Sequence, residues 1–495
     1  MPCRRDPSGR GVHWQGLKFI EAGMFSKILS TLANCFRVPE LKSRLLFTLG
    51  LLAVCRVIAI IPLPGLDGGA LTAFLQEVRG RSEANSLVSM YSLFTGGALE
   101  RCALGALGIM PYISATIIIQ LLGAVVPSLS KMAREDGGRV KIVQYSRYLT
   151  ILLCLGQGFA MTLGWESPQN IPGFQNFTGK LVIMEPLWWY RIQTVLLLTA
   201  STMLLVWLGE QITERGIGNG VSLVITIGIL ARLPATATGV YYMFFPPTTA
   251  ANATAGAAAP GGKNLFHAIA LILLLVAVVA AVIAVTQAQR KIPVQYAQRS
   301  VGRKVVPGGS SFMPLRLNAA GVMPIIFAQA ILMFPEQLLM KLGGRFDQLG
   351  FLKTFGTMIS HGQPAYLLME ATMIVFFSYF WVATIFNEIQ IADDLKKYGG
   401  YIPGVRPGQA TSDFLHWTMS RITLAGAVFL AAIAILPVVL YRIMDVPFEV
   451  ASFFGGTSIL ITVGVLLDTL RQLESFLLMR HYDGFLKKGR VRGRF

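Results

Sequence analysis

Long apolar runs separated by short polar connectors fill almost the whole chain. They lie near Leu45–Ile61, Ile109–Val126, Tyr148–Gly164, Trp188–Leu208, Gly218–Leu233, Leu265–Thr286, Leu317–Lys341, Pro364–Phe386, Ile422–Leu440 and Ala451–Leu470. A run of roughly 20 apolar residues is long enough to cross the hydrocarbon core of a bilayer as a helix. The pattern therefore predicts about ten spanning helices. No soluble domain fits between them. The expected fold is all-α and polytopic, a single membrane domain or two halves.

The second run is unlike a span that faces only lipid. Gly108–Leu122 reads GIMPYISATIIIQLL and keeps Pro111, Ser114, Thr116 and Gln120 among its aliphatic residues. A Gly-rich, half-polar stretch, Tyr91–Arg101, precedes it. Irregular backbone at membrane depth survives only where protein or water covers it. The pair reads as part of a pathway through the membrane.

Charge sharpens the topology. Only 14% of the 495 residues are charged, against roughly a quarter in soluble proteins, and the formal net charge is +18. Basic residues gather in alternate connectors. They include Arg37, Lys42 and Arg44; Lys131, Arg134, Arg139, Lys141 and Arg147; Arg290 to Arg316; Lys396, Lys397 and Arg406; and Lys487 to Arg494. The positive-inside rule then places both termini in the cytosol, as an even span count requires. The five cysteines are scattered, with neither a disulfide framework nor zinc spacing.

Organisation follows from the breaks. Residues 1–44 read as a cytosolic N-terminal segment, within which Met24 is the expected natural start and 1–23 an extension. Residues 236–264 include FFPPTTAANATAGAAAPGG, a composition that suits a flexible external loop. About five spans fall on each side of it, 45–235 and 265–470, before a basic tail at 471–495. An odd number of spans per half inverts the second half, and such repeats place a pathway at their interface.

Three further blocks carry chemistry. Trp207–Ser222, WLGEQITERGIGNGVS, spaces Gly216, Gly218 and Gly220 as a tight turn or a close helix approach. It is no nucleotide loop, since no strand precedes it and no Lys follows. The 289–304 loop holds Arg290, Lys291, Arg299, Arg303 and Lys304 with no acid, a surface suited to an anionic partner. In the 387–408 block, Arg406 stands between Pro403-Gly404 and Pro407-Gly408, one cation on a stiff loop beyond Lys396 and Lys397.

Together the strings IPLPG, FTGGAL, GIMPYISATIIIQLL, WLGEQITERGIGNGVS, YAQR, PLRLNAAGVMP, DDLKKYG, YIPGVRPG and VPFEVASFFGGTSILI resemble the SecY family of protein-translocase channel subunits. The resemblance implies an hourglass pore between two inverted halves in the bacterial cytoplasmic membrane. It conducts unfolded preproteins with signal sequences across, and releases transmembrane segments sideways into membrane lipid. By motif match the pore ring is Ile109, Ile113, Ile225, Ile326 and Ile461. An external plug spans Tyr91 to Arg101, with Phe94, Gly96, Gly97, Leu99 and Glu100. Spans two and seven form a lateral gate, where Ser114, Gln120 and Asn318 are polar groups able to bond across the closed seam. The implied partners are the small membrane subunits SecE and SecG, the SecA ATPase and the ribosome. The last two would dock on the basic loops through Arg290, Lys291, Arg299, Arg303, Lys304, Lys396, Lys397 and Arg406. The resemblance calls for no cofactor, and the family is no enzyme.

A secondary transporter would share broken helices and inverted repeats. It would also want paired ionisable groups near the midplane. Arg56, Glu370 and Asp468 stand singly in the sequence. An intramembrane enzyme would need a Ser–His, paired-Asp or zinc arrangement, and none of the five histidines lies mid-span with a plausible partner.

Overall fold

Helices form where apolar runs can satisfy their own backbone, the constraint a bilayer imposes. A computed structural model describes residues 39–78, 95–135, 137–168, 179–244, 265–296, 299–301, 304–306, 309–329, 331–332, 363–444, 446, 450–451, 453 and 456–488. The helices are α1 (Pro39–Ile58), α2 (Gly68–Val78), α3 (Met110–Val125), α4 (Pro127–Arg134), α5 (Gly138–Glu166), α6 (Leu187–Arg215), α7 (Gly220–Leu230), α8 (Leu233–Phe244) and α9 (Leu265–Gln287). They continue with α10 (323–329), α11 (Pro364–Ile385), α12 (Glu388–Lys397), α13 (Gln409–Met444) and α14 (Thr457–Lys488).

Among the described residues seven helical stretches are long and apolar enough to cross a membrane. They match the second to sixth, eighth and ninth predicted spans. Of the other three, α1 carries Glu40, Lys42, Arg44 and Arg56. The seventh runs into residues 333–362, outside the described set. The tenth extends beyond its predicted end: α14 continues to Lys488, so much of the expected tail at 471–495 is helix.

Two prolines within the apolar runs are placed where a helix tolerates them. Pro111 and Pro324 do not break their spans but stand in the first turns of α3 and α10. A first-turn proline is pre-set for helical φ, and its missing N–H would lack a partner there anyway. Residues 317–322 are turn, so the seventh helix starts later than Leu317.

The chain also departs from all-α in the connectors after α9 and α12. Strands β1 (Gln289–Tyr296), β4 (Ser310–Arg316) and β5 (Gly400–Tyr401) form one antiparallel sheet in the order β4-β1-β5. Between them β2 (Arg299–Val301) and β3 (Lys304–Val306) make a small hairpin. Ile292 and Leu315 are buried in one cluster with Ile402, Leu415 and Met419, so the sheet has its own apolar footing.

Two devices fix the helices. α5 and α6 are tied near both ends by forked charge pairs. Arg147 donates to Glu210 at 3.1 and 2.6 Å, and Arg191 donates to Glu166 at 2.6 and 2.7 Å. Two-bond Arg–carboxylate contacts fix register as well as energy. The Gly-x-Gly-x-Gly turn is the second device. Three of its N–H groups reach side chains of three different helices: Ile217 donates to Thr48 Oγ1 of α1 at 3.1 Å, Gly218 to Gln472 Oε1 of α14 at 2.8 Å, and Gly220 to Thr213 Oγ1 of α6 at 2.9 Å. The turn is thus the anchor where helices from both ends of the chain are joined.

Gly220 admits no larger residue, because a Cβ there would lie 1.8 Å from the Gly209 carbonyl oxygen. Gly220→Ala is expected to cost about 1–3 kcal/mol through overpacking. Thermal unfolding of the detergent-solubilised protein, followed by tryptophan fluorescence, reads the cost. An unchanged midpoint would contradict this packing.

Candidate functional site

Five isoleucines from separate parts of the chain share one buried cluster. Ile109 caps the start of α3 and Ile113 follows one turn later; Ile225 lies in α7, Ile326 in α10 and Ile461 in α14. Their exposures are 4, 6, 6, 6 and 3%, and all five belong to the largest hydrophobic cluster. Ile109 and Ile113 fall on one face because residues four apart stack on a helix. α1, α6, α9, α11 and α13 also feed the cluster, through Cys55, Leu208, Val282, Phe377 and Leu430.

A glycine turn is seated against this cluster. Residues 96–101 form turns between Thr95 and Cys102, both buried. Gly96 and Gly97 have φ of +64° and +83°. A Cβ on Gly96 would approach the Arg56 guanidinium to 2.3 Å and Gly228 of α7 to 3.0 Å. The glycine therefore permits both the left-handed backbone and the close seat. A cavity between turn and cluster is lined by Arg56, Thr95, Gly108, Ile109, Val224 and Gly228.

Polar contacts hold the turn there. Arg56 donates to the Gly96 carbonyl at 3.3 Å. Arg232, just past α7, pairs with Glu100, and both are largely buried. Leu63 and Leu104 bond back to Cys102 and Ile61 at 2.9 and 2.8 Å, stitching the 61–66 segment to the exit of the turn. Arg56, single by sequence, thus has a backbone partner 40 residues away. Leu99 is half-buried and Arg101 exposed, while Tyr91 and Phe94 lie outside the described residues. Burial, then the neighbouring Asp67 carboxylate, pushes the Cys102 thiol up to about 12.

The polar gate residues are not brought together. Ser114 and Gln120 are half-buried on α3. Asn318 lies in the 317–320 turn, beside Ser378 of α11 and Thr423 and Gly426 of α13. Gly426 lets that turn approach, since a Cβ there would stand 2.6 Å from the Leu317 carbonyl. No hydrogen bond joins Asn318 to Ser114 or Gln120 among the described residues. α3 and α10 both contribute aliphatic residues to the shared cluster, Ile113 and Ile326 among them.

The two basic loops, distant in sequence, are one surface. Gln295 and Tyr296 of β1 pair with Tyr401 and Gly400 of β5, and the Tyr401 hydroxyl donates to Gln295 Oε1 at 3.0 Å. Arg290 and Lys291 are exposed on β1 opposite Leu315 and Pro314. Arg299 and Lys304 fall in β2 and β3; Arg303 lies outside the described residues. Lys396 and Lys397 end α12, with Lys397 3.8 Å from Asp394. Arg406 is exposed between Gly404 and Gly408, at φ +85° and +106°, and Thr411 donates to its carbonyl at 2.9 Å. Sequence reading missed this sheet. The Ile292/Val294 alternation was its one signal, beside the pairing partners Met313 and Leu315.

These features define a polytopic helical membrane protein with an apolar cluster shared by helices from both ends of the chain and a turn seated on it. Its solved likenesses are channels: a structure described as that of a protein conducting channel covers 87% of this chain and 91% of its own, with TM-score 0.53 at 18% identity. A SecY structure concerned with the plug domain gives TM-score 0.52 at the same identity and coverage. The SecY family profile matches residues 103–470. The protein translocase subunit SecY of Chlamydia trachomatis is 40% identical, over 94% of this chain and all of its own length. Those of Escherichia coli and Thermotoga maritima are 40% and 38% identical, over 92% and 93% of this chain and 96% and 98% of theirs. The chain belongs to the SecY family.

If Arg232 holds the turn through Glu100, removing the charge frees it. Glu100→Gln is expected to raise the labelling rate of Cys102 by an impermeant maleimide at least tenfold, because breaking a buried pair strands a charge and a released thiol returns toward about 8.5. Peptide mapping by mass spectrometry reads the site. Labelling as slow as in the parent chain would contradict the contact.

Proposed function

We propose that this chain is the central pore-forming subunit of the general protein-secretion translocase of a bacterial cytoplasmic membrane. It conducts unfolded preproteins across and releases transmembrane segments laterally into lipid. The observation that carries the reading is the meeting of Ile109, Ile113, Ile225, Ile326 and Ile461 in one cluster beneath the seated glycine turn. An aliphatic constriction blocks ions by excluding water, yet offers a passing polypeptide no hydrogen bonds to hold it.

The parts then have roles. The five isoleucines are the pore ring. The 91–101 segment is the plug, closing the ring from outside until a substrate displaces it. α3 and the helix beginning at α10 are the two walls of the lateral gate. Their seam is apolar at Ile113 and Ile326, so a sufficiently hydrophobic segment can replace one wall's contacts with its own and partition into lipid. The residues form two inverted halves around the pore, 45–235 and 265–470, and both termini are cytosolic.

Energy comes from a partner, for the chain carries no Walker motif. The β4-β1-β5 sheet with the Arg406 loop is the docking surface for the ribosome and the SecA motor. SecE and SecG are the small subunits that complete the complex. Cation-rich loops on a rigid sheet favour an anionic partner, and the attraction weakens with salt.

Proteoliposomes holding the complete complex, with motor and ATP, test the reading by protease protection of a secretory preprotein. Protection that needs this chain is expected, and its absence contradicts the channel role. Arg406→Glu should lower the initial rate about tenfold, with the chain's own membrane insertion unchanged; a normal rate removes the docking role from Arg406. Ile461→Asn places an amide in the ring and should raise potassium leak from the same vesicles severalfold. A tight Ile461→Asn variant would remove that residue from the seal.

A further inference from the structure

We infer that Glu370 is a positioning residue for the pore ring: by holding Gln329 of α10, it sets the angle at which Ile326 meets the seal and so the stringency with which substrates are admitted. The inference rests on the channel reading above.

Glu370 lies on α11 and is 1% exposed; Gln329 is 8% exposed. The Gln329 amide donates to Glu370 Oε1 at 3.2 Å, and Gln329 Oε1 has no partner among the described residues. An ionisable side chain buried inside a membrane span is costly and marks function more often than packing. Here it has one described partner, on a helix that has only this short described length and begins just after a turn.

The geometry says what the bond controls. Gln329 follows Ile326 by three residues, so the two lie on neighbouring faces of one turn. Phe327, between them, packs edge-on against Phe377 and Trp381 of α11, with ring centroids 5.8 and 5.3 Å apart. Aromatic contacts tolerate sliding, whereas a hydrogen bond between two buried groups fixes distance and direction. The amide–carboxylate bond therefore fixes the rotation of α10 about its axis. Through it α11 and α10 move as a unit, and the Ile326 side of the seal is held by α11. Loss of the bond leaves α10 free to turn within its aromatic seat, and the ring loosens at that position.

The test is export in cells of two reporters, one with an intact signal sequence and one with a defective signal, by the full chain in its complex. Glu370→Leu is expected to export the defective-signal reporter about threefold to tenfold more than the parent chain, the range a single net hydrogen bond gives. Glu370→Gln keeps an acceptor at the same place and should stay within twofold of the parent. The exchanged pair Gln329→Glu with Glu370→Gln restores a bond in the opposite sense and should also stay stringent. Should Glu370→Leu fail to accumulate, Gln329→Leu breaks the same bond and carries the same expectation. Unchanged stringency in whichever leucine variant accumulates, with intact-signal export normal, overturns the inference. So does an exchanged pair as permissive as the leucine variants. Failure of the parent chain to export the intact reporter would instead count against the channel reading, which separates the two.

Discussion

The proposed channel depends on one apolar contact that has to be both tight and breakable. Aliphatic side chains from α1, α3, α6, α7, α9, α10, α11, α13 and α14 meet in one cluster. Such a contact has no direction and no fixed partners, so its strength scales with the area removed from water. That suits a barrier through which many different sequences must pass. A hydrogen-bonded barrier would be selective for its own partners and would leave orphaned polar groups whenever it opened.

The polar interactions are placed where rigidity is needed instead. Forked Arg–carboxylate pairs hold α5 to α6 near both ends. The glycine turn at 216–220 gathers donors for α1, α6 and α14. Arg56 and Arg232 fasten the 96–101 turn, and Glu370 steadies α10. Beyond the helix ends, the β4-β1-β5 sheet joins two basic loops whose residues are about a hundred positions apart. The frame is thus directional and charged while the apolar cluster is not, a division that would let one part move without loosening the rest.

Much of this was legible in the chain. The apolar runs located most of the helices, since a bilayer leaves the backbone few alternatives. The 216–220 glycines announced a close approach, and the motifs around the five isoleucines pointed to positions that do fall in one cluster. What stayed hidden depended on partners far away in sequence. Arg56 and Glu100 have theirs 40 and 132 residues distant, and Glu370 has one 41 residues away. The sheet escaped because β1 shows only two buried positions among cations. Asn318 was read as a gate residue from its motif; the turn before α10 carries it instead to α11 and α13. Pro324 in an apolar run suggests a break, but a proline's effect differs between a helix interior and a first turn, where it stands.

The central claim is that an aqueous pathway exists and is kept shut by the seated turn together with the isoleucine cluster. Conductance of the purified complex in planar bilayers, parent chain against a deletion of Tyr91–Arg101, tests it most directly. The account predicts a silent parent and large, long-lived openings in the deletion. A deletion that remains folded and just as silent would contradict it, and the cluster would then be a packed core with no pathway behind it.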